Sequence, residues 1–139
     1  MDSVSFNRIR NSGQSNPFIQ DDLIIICSYH FASAKAQSIQ GVPWDIVCID
    51  EAHRLRNVYR PQSRMARRIA DSIAPAHKLL LTATPLQNSL MELYGLVSII
   101  DEHVFGDAAS FPDQFVKAGS ENERNSQLRS RLLLCNEIT

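Results

Sequence analysis

The sequence has few cysteines, few glycines, no long apolar run and almost no net charge, and each shortage excludes something. The three cysteines, Cys27, Cys48 and Cys135, are odd in number and widely spaced, which suits neither a disulfide framework nor a tetrahedral metal site. Cys27 and Cys48 stand inside apolar runs, so buried thiols in a reducing cytoplasm are expected. None of the glycines at 13, 41, 95, 106 and 119 is followed by lysine. The pattern G-x-x-x-x-G-K-[ST], which cradles phosphates on backbone N–H groups, is therefore absent from these 139 residues. No apolar run approaches the roughly 18 residues of a membrane span, and the first residues hold no signal-peptide core, so the expected location is cytoplasmic, away from any membrane. A formal net charge of −1 gives no global field, so any grip on nucleic acid must be local.

What is present points to a soluble α/β domain. Hydrophobic residues make up 44% and charged residues 21% of the chain, enough to bury a core. Residues 1 to 21 are polar and rich in Asn and Ser, and read as a loop or lead-in. Leu23 to Cys27 and Ile46 to Ile49 are short continuous apolar runs, expected as strands buried on both faces. Lys78 to Thr82 is expected as a third strand. Between them, Phe31 to Gln40 reads as a helix, and so does Pro61 to about Ala74, whose Met65, Ile69 and Ile73 recur every fourth position. Leu86 to Ile100 is apolar nearly all round and reads as a buried helix. Beyond Asp101 the pattern weakens, with helix expected at 111 to 116 and 127 to 134. Residues 22 to 101 thus form the expected α/β unit, and 102 to 139 a helical extension.

Strands alternating with helices predict a parallel sheet with flanking helices, of about three strands. Ligands of such sheets gather outside the carboxyl ends of the strands. Those ends carry Ser28-Tyr29-His30, Asp50-Glu51-Ala52-His53 and Thr82-Ala83-Thr84. Carboxylates following an apolar strand are costly unless they face an opening, a cation or a partner. One rim receiving hydroxyls, two carboxylates and an imidazole is a candidate active-site edge.

Two of these strand ends are also recognisable words. "IDEAH" at 49 to 53 resembles the Walker B motif, or motif II, of superfamily-two helicases. "LLLTATPLQNS" at 79 to 89 resembles their motif III in the extended form of SWI/SNF-type DNA translocases. "DEAHRLRN" at 50 to 57, "LMELYGLVSIID" at 90 to 101 and "IIICSYHF" at 24 to 31, similar to the segment containing motif Ib, carry the likeness over roughly residues 22 to 134. It is closest to the bacterial members. The resemblance implies the back half of a first RecA-like (P-loop NTPase) lobe, using ATP and Mg2+ and acting on nucleic acid, double-stranded DNA in particular. It assigns Asp50 to the magnesium ion through its water shell, and Glu51 to the attacking water as general base. His53 would link the γ-phosphate to motif III, and Thr82 and Thr84 would pass that signal on. Ser28 and Tyr29 are candidates for touching the nucleic-acid backbone. Gln87 and Asn88 match the family word without a separate chemical role.

Plainer readings stand beside these. A carboxylate pair after a strand can simply cap a helix, and Thr82 and Thr84 can be ordinary strand-end hydroxyls. Asp50 and His53 could be a metal pair, but no third and fourth ligand stands at suitable spacing. His30, His77 and His103 read as surface or satisfied histidines, and Tyr29 could equally be packed against its neighbours. Residues 54 to 68 hold six arginines. Arg60, Arg64, Arg67 and Arg68 form a stripe opposite Met65, Ile69 and Ile73, as the solvated face of an amphipathic helix would; a phosphate-contacting strip is the alternative.

The missing phosphate loop departs from the family, and with it go the adenine-contacting element, motif Ia and the second lobe. The expectation is a fragment of an ATP-driven DNA translocase, inactive alone. The alternatives are a DEAH-type RNA helicase, a restriction-enzyme motor subunit, or a non-catalytic interaction module that kept half the fold. In RecA-like lobes the strand before motif III lies between the Walker B and P-loop strands. Carried over, residues 78 to 82 would have one open, apolar edge, prone to self-association or to cover by residues 1 to 21.

Overall fold

Two short parallel strands, β1 (Val47–Ile49) and β2 (Lys78–Leu80), organise the chain, in the register Val47 to Lys78, Cys48 to Leu79 and Ile49 to Leu80. The computed structural model describes residues 1–84, 89–116 and 120–134. Around the pair lie α1 (Ser3–Asn11), α2 (Tyr29–Ala34), α3 (Ala36–Gln40), α4 (Arg64–Ser72), α5 (Leu90–Ile100) and α6 (Glu121–Leu134). A 3-10 turn covers Ala52–Leu55 and a π-helical turn Pro112–Val116. The parallel connection β1–α4–β2 and the flanking helices make this a partial RecA-like α/β unit, as expected, but with two strands rather than three among the described residues.

The missing strand is Leu23 to Cys27. Those residues run without ladder partners, and Ile24 is 92% exposed. Leu23, Ile24 and Ile26 face solvent, whereas Ile25 and Cys27 pack against the core. An apolar run fixes neither a pairing partner nor which faces are covered. For the same reason β1 is not buried on both faces: Ile49 is buried, but Ile46 and Cys48 are exposed. The Cys48 thiol is therefore on the surface, contrary to expectation, and Cys27 is only half-buried.

Residues 1 to 21 are not simply a loop. Asp2 caps α1 by accepting a hydrogen bond from the Ser5 amide at 2.8 Å. Phe6 and Phe18 are buried, and their rings meet Phe31 at the start of the next helix. The Asn16 side-chain amide donates to the Ser38 carbonyl at 2.8 Å, tying the segment to α3, and the Met1 ammonium donates to the Ile26 carbonyl.

Helix α4 starts later than Pro61, with Ser63 as the N-cap position. It buries Ala66 and Ile69 and leaves Arg64, Arg67 and Arg68 exposed, the solvated-face arrangement. Helix α5 explains its all-round apolarity by serving two clusters. Leu96 and Ile99 join the core of Phe6, Phe31, Ile49, Leu55 and Ile69. Tyr94 and Val97 join a second core with Phe105, Phe111, Phe115 and Leu128. No described helix is long and apolar enough to cross a membrane.

Candidate active site

The site begins where β1 stops. The Leu81 amide donates to the Ile49 carbonyl and the Ala52 amide donates to the Leu81 carbonyl, both at 2.9 Å. This stitching continues past the strands and sets the end of β1 beside the end of β2. Between Ile49 and Ala52 the chain turns through Glu51, which sits in the left-handed region at φ 53° and ψ 43°. A non-glycine residue there is strained unless its surroundings fix it. The Glu51 amide donates to Asp50 Oδ1 at 2.9 Å, and the Arg54 amide donates to the Glu51 carbonyl at 3.0 Å as the 3-10 turn begins.

The turn leaves both acidic side chains at the surface. His53 Nδ1 lies 3.1 Å from Glu51 Oε2, yet that buried nitrogen has no well-directed hydrogen bond. The contact is one of proximity, and it does not lock the Glu51 carboxylate. An exposed carboxylate on an anchored backbone suits a magnesium ion that keeps most of its waters and shares its other ligands with phosphates. A closed cage is a different matter: among the described residues no three His, Cys, Asp or Glu side chains form a metal-holding group.

Tyr29 meets this turn from the side. Its hydroxyl donates to the Asp50 carbonyl at 2.6 Å, and the Arg54 guanidinium lies over its ring at 5.1 Å. Burial raises the phenol above its usual range; Arg54 opposes that shift, while Asp50 and Glu51 add to it. Ser28 caps α2, its Oγ accepting from the Phe31 amide at 3.3 Å. Thr82 Oγ1 accepts from the Thr84 amide at 3.2 Å, closing a small turn at the end of β2.

Behind the turn, the Arg56 guanidinium meets Glu92 Oε1 at 3.3 Å, with only 8% of the Glu92 side chain exposed. The pair joins the segment after the 3-10 turn to α5, the first helix after β2. Gly95 lets the two approach: a Cβ there would stand 1.9 Å from the Arg56 carbonyl oxygen.

The chain matches the SNF2-related domain family over residues 4–136. It belongs to that family. Its relatives include the ISWI chromatin-remodeling complex ATPase ISW1 of Saccharomyces cerevisiae, 30% identical over 102 residues, or 73% of this chain. The lymphoid-specific helicase of Homo sapiens is 34% identical over 77% of the chain. Among bacterial proteins, the uncharacterized ATP-dependent helicase YqhH of Bacillus subtilis is 33% identical over 70% of it. The matched part is 9% of ISW1, 12% of the lymphoid-specific helicase and 17% of YqhH, so the chain spans a small share of these relatives. No solved structure matches it.

Within this SNF2-related domain the structure brings Asp50, Glu51 and His53 into one turn and sets it against the backbone leading into Thr82. Thr84 is exposed, and Gln87 and Asn88 lie outside the described residues. Sequence reasoning missed Arg54, Arg56, Glu92 and Gly95. Glu92 carried a usable signal: a single acid in the otherwise apolar helix "LMELYGLVSII" must have a partner if it is buried.

Proposed function

We propose that this chain forms the motif II and III part of an ATP-driven translocase acting on double-stranded DNA, with residues 22 to 101 as the nucleotide-facing unit. The observation that carries this is the stitched pair of strand ends, which presents an anchored, exposed Asp50–Glu51 turn directly beside the Thr82–Thr84 turn. Membership of the SNF2-related family favours the DNA-translocase reading over an RNA helicase.

In this reading Asp50 holds a magnesium ion through its water shell, and Glu51 orients the attacking water and takes its proton. Magnesium, when bound, supplies positive charge to the phosphate oxygens. His53, 3.1 Å from Glu51, would link the γ-phosphate to the segment after β2, and Thr82 and Thr84 would carry the change onward. The 139 residues alone turn over no ATP, because they contain no glycine-lysine phosphate loop.

The test is ATP hydrolysis by the full-length protein carrying this chain, measured alone and with duplex DNA, single-stranded DNA or RNA. Stimulation by duplex DNA is expected. Stimulation by RNA alone would overturn the translocase reading in favour of an RNA helicase.

A further inference from the structure

Two peptide groups flank Glu51, and every backbone polar group in them is accounted for. The Glu51 amide is held by Asp50 Oδ1, the Glu51 carbonyl by the Arg54 amide, and the Ala52 amide by the Leu81 carbonyl. The fourth group, the Asp50 carbonyl, is held by the Tyr29 hydroxyl. Of the four partners only this one is a side chain from an element remote in sequence. The others come from the turn itself or from the strand stitching.

We infer that Tyr29 is a positioning residue: its hydroxyl fixes the Asp50–Glu51 peptide and so keeps Glu51 in its left-handed conformation, with Arg54 stacked on the ring to hold the phenol in place. This reassigns Tyr29 from the nucleic-acid backbone to the nucleotide-facing turn, and its catalytic consequence rests on the function proposed above. The physical reason is local. A peptide that can rotate lets a left-handed glutamate relax to a commoner conformation, and rotation of the 50–51 peptide would break the Asp50 contact first. Tyr29 sits one residue after the Ser28 cap of α2, so the helix start sets where the hydroxyl falls.

Tyr29→Phe removes the oxygen and keeps the ring that Arg54 covers, so the fold should survive. Two readouts decide the matter. In the 139-residue chain, amide exchange by NMR should quicken on the order of tenfold at Ala52 and Arg54, the loss expected for one hydrogen bond, while Leu81, whose amide is held by the Ile49 carbonyl, stays protected. In the full-length protein, kcat for DNA-stimulated ATP hydrolysis should fall by a similar factor, with KM for ATP and DNA affinity unchanged. Unaltered exchange at Ala52 and Arg54 would overturn the inference, as would a loss of DNA affinity with kcat preserved. If the wild-type protein shows no DNA-stimulated hydrolysis, the proposed function fails, and the exchange measurement alone decides the role of Tyr29.

Discussion

Gly95 shows how one missing methyl group can set the distance between two elements. Alanine normally favours a helix over glycine by about 1 kcal/mol. Here its Cβ would lie 1.9 Å from the Arg56 carbonyl oxygen and 3.2 Å from the Tyr59 ring. Backbone cannot yield as a flexible side chain can, so the clash outweighs the helix preference. Gly95→Ala should cost about 1–3 kcal/mol, the usual range for overpacking. Urea unfolding checks it, and an unchanged or higher midpoint would show that α5 shifts freely. The cysteines give a second test at this scale. Burial raises the Cys27 thiol above its usual range, whereas Cys48 is exposed. Since the thiolate is the reacting species, brief iodoacetamide treatment at mildly alkaline pH should label Cys48 well before Cys27, as read by peptide mass spectrometry. Equal rates would mean that the segment around Cys27 opens readily. That Asp50, Glu51 and His53 share one turn at a strand end is legible in the sequence, because a local word fixes a local turn. For Tyr29 the sequence leaves packing and a nucleic-acid contact side by side, because its partner in the structure is a carbonyl 21 positions away that carries no sequence signal.

At the level of elements, legibility depended on how much of a pattern was local. β1, β2, α4 and α5 follow from apolar spacing and fall close to their expected places. Helix α1 went unseen because one buried residue, Phe6, makes no period; only the Asp2 cap signals it. Residues 23 to 27 read as a strand but form none among the described residues, because an apolar run reports affinity for a core and specifies no pairing partner. The tie between the DEAH segment and α5 is equally invisible in one dimension, since Arg56 and Glu92 are far apart in the chain. That tie should matter energetically. Removing one member of a largely buried ion pair leaves the other charge short of a partner and costs about 3–5 kcal/mol. Glu92→Ala should approach the lower end, because Arg56 remains partly accessible. Glu92→Gln should cost less by keeping an acceptor. A double-mutant cycle with Arg56→Ala, followed by urea unfolding, should return a coupling energy clearly above zero; additivity would place Glu92's contribution elsewhere.

For the molecule as a whole, the open side of the sheet is the dominant feature. Among the described residues β2 pairs only with β1, and Leu79 and Leu81 are each nearly half exposed. Ile46 at the entry to β1 and Ile100 at the end of α5 are exposed as well. An unpaired strand edge with apolar side chains invites another chain, and a net charge of −1 offers little repulsion. The 139-residue chain is therefore expected to self-associate through residues 78 to 82. Light scattering over a dilution series, with amide exchange at those residues, checks this, and a stable monomer at high concentration would contradict it. Whether Glu51 serves as the general base of ATP hydrolysis is decided by replacing it with Gln in the full-length protein. DNA-stimulated hydrolysis should fall by about 10²–10⁴, the range for loss of a positioned general base, while nucleotide binding is preserved. Hydrolysis that survives the substitution, or binding lost together with it, would rule out that role for Glu51.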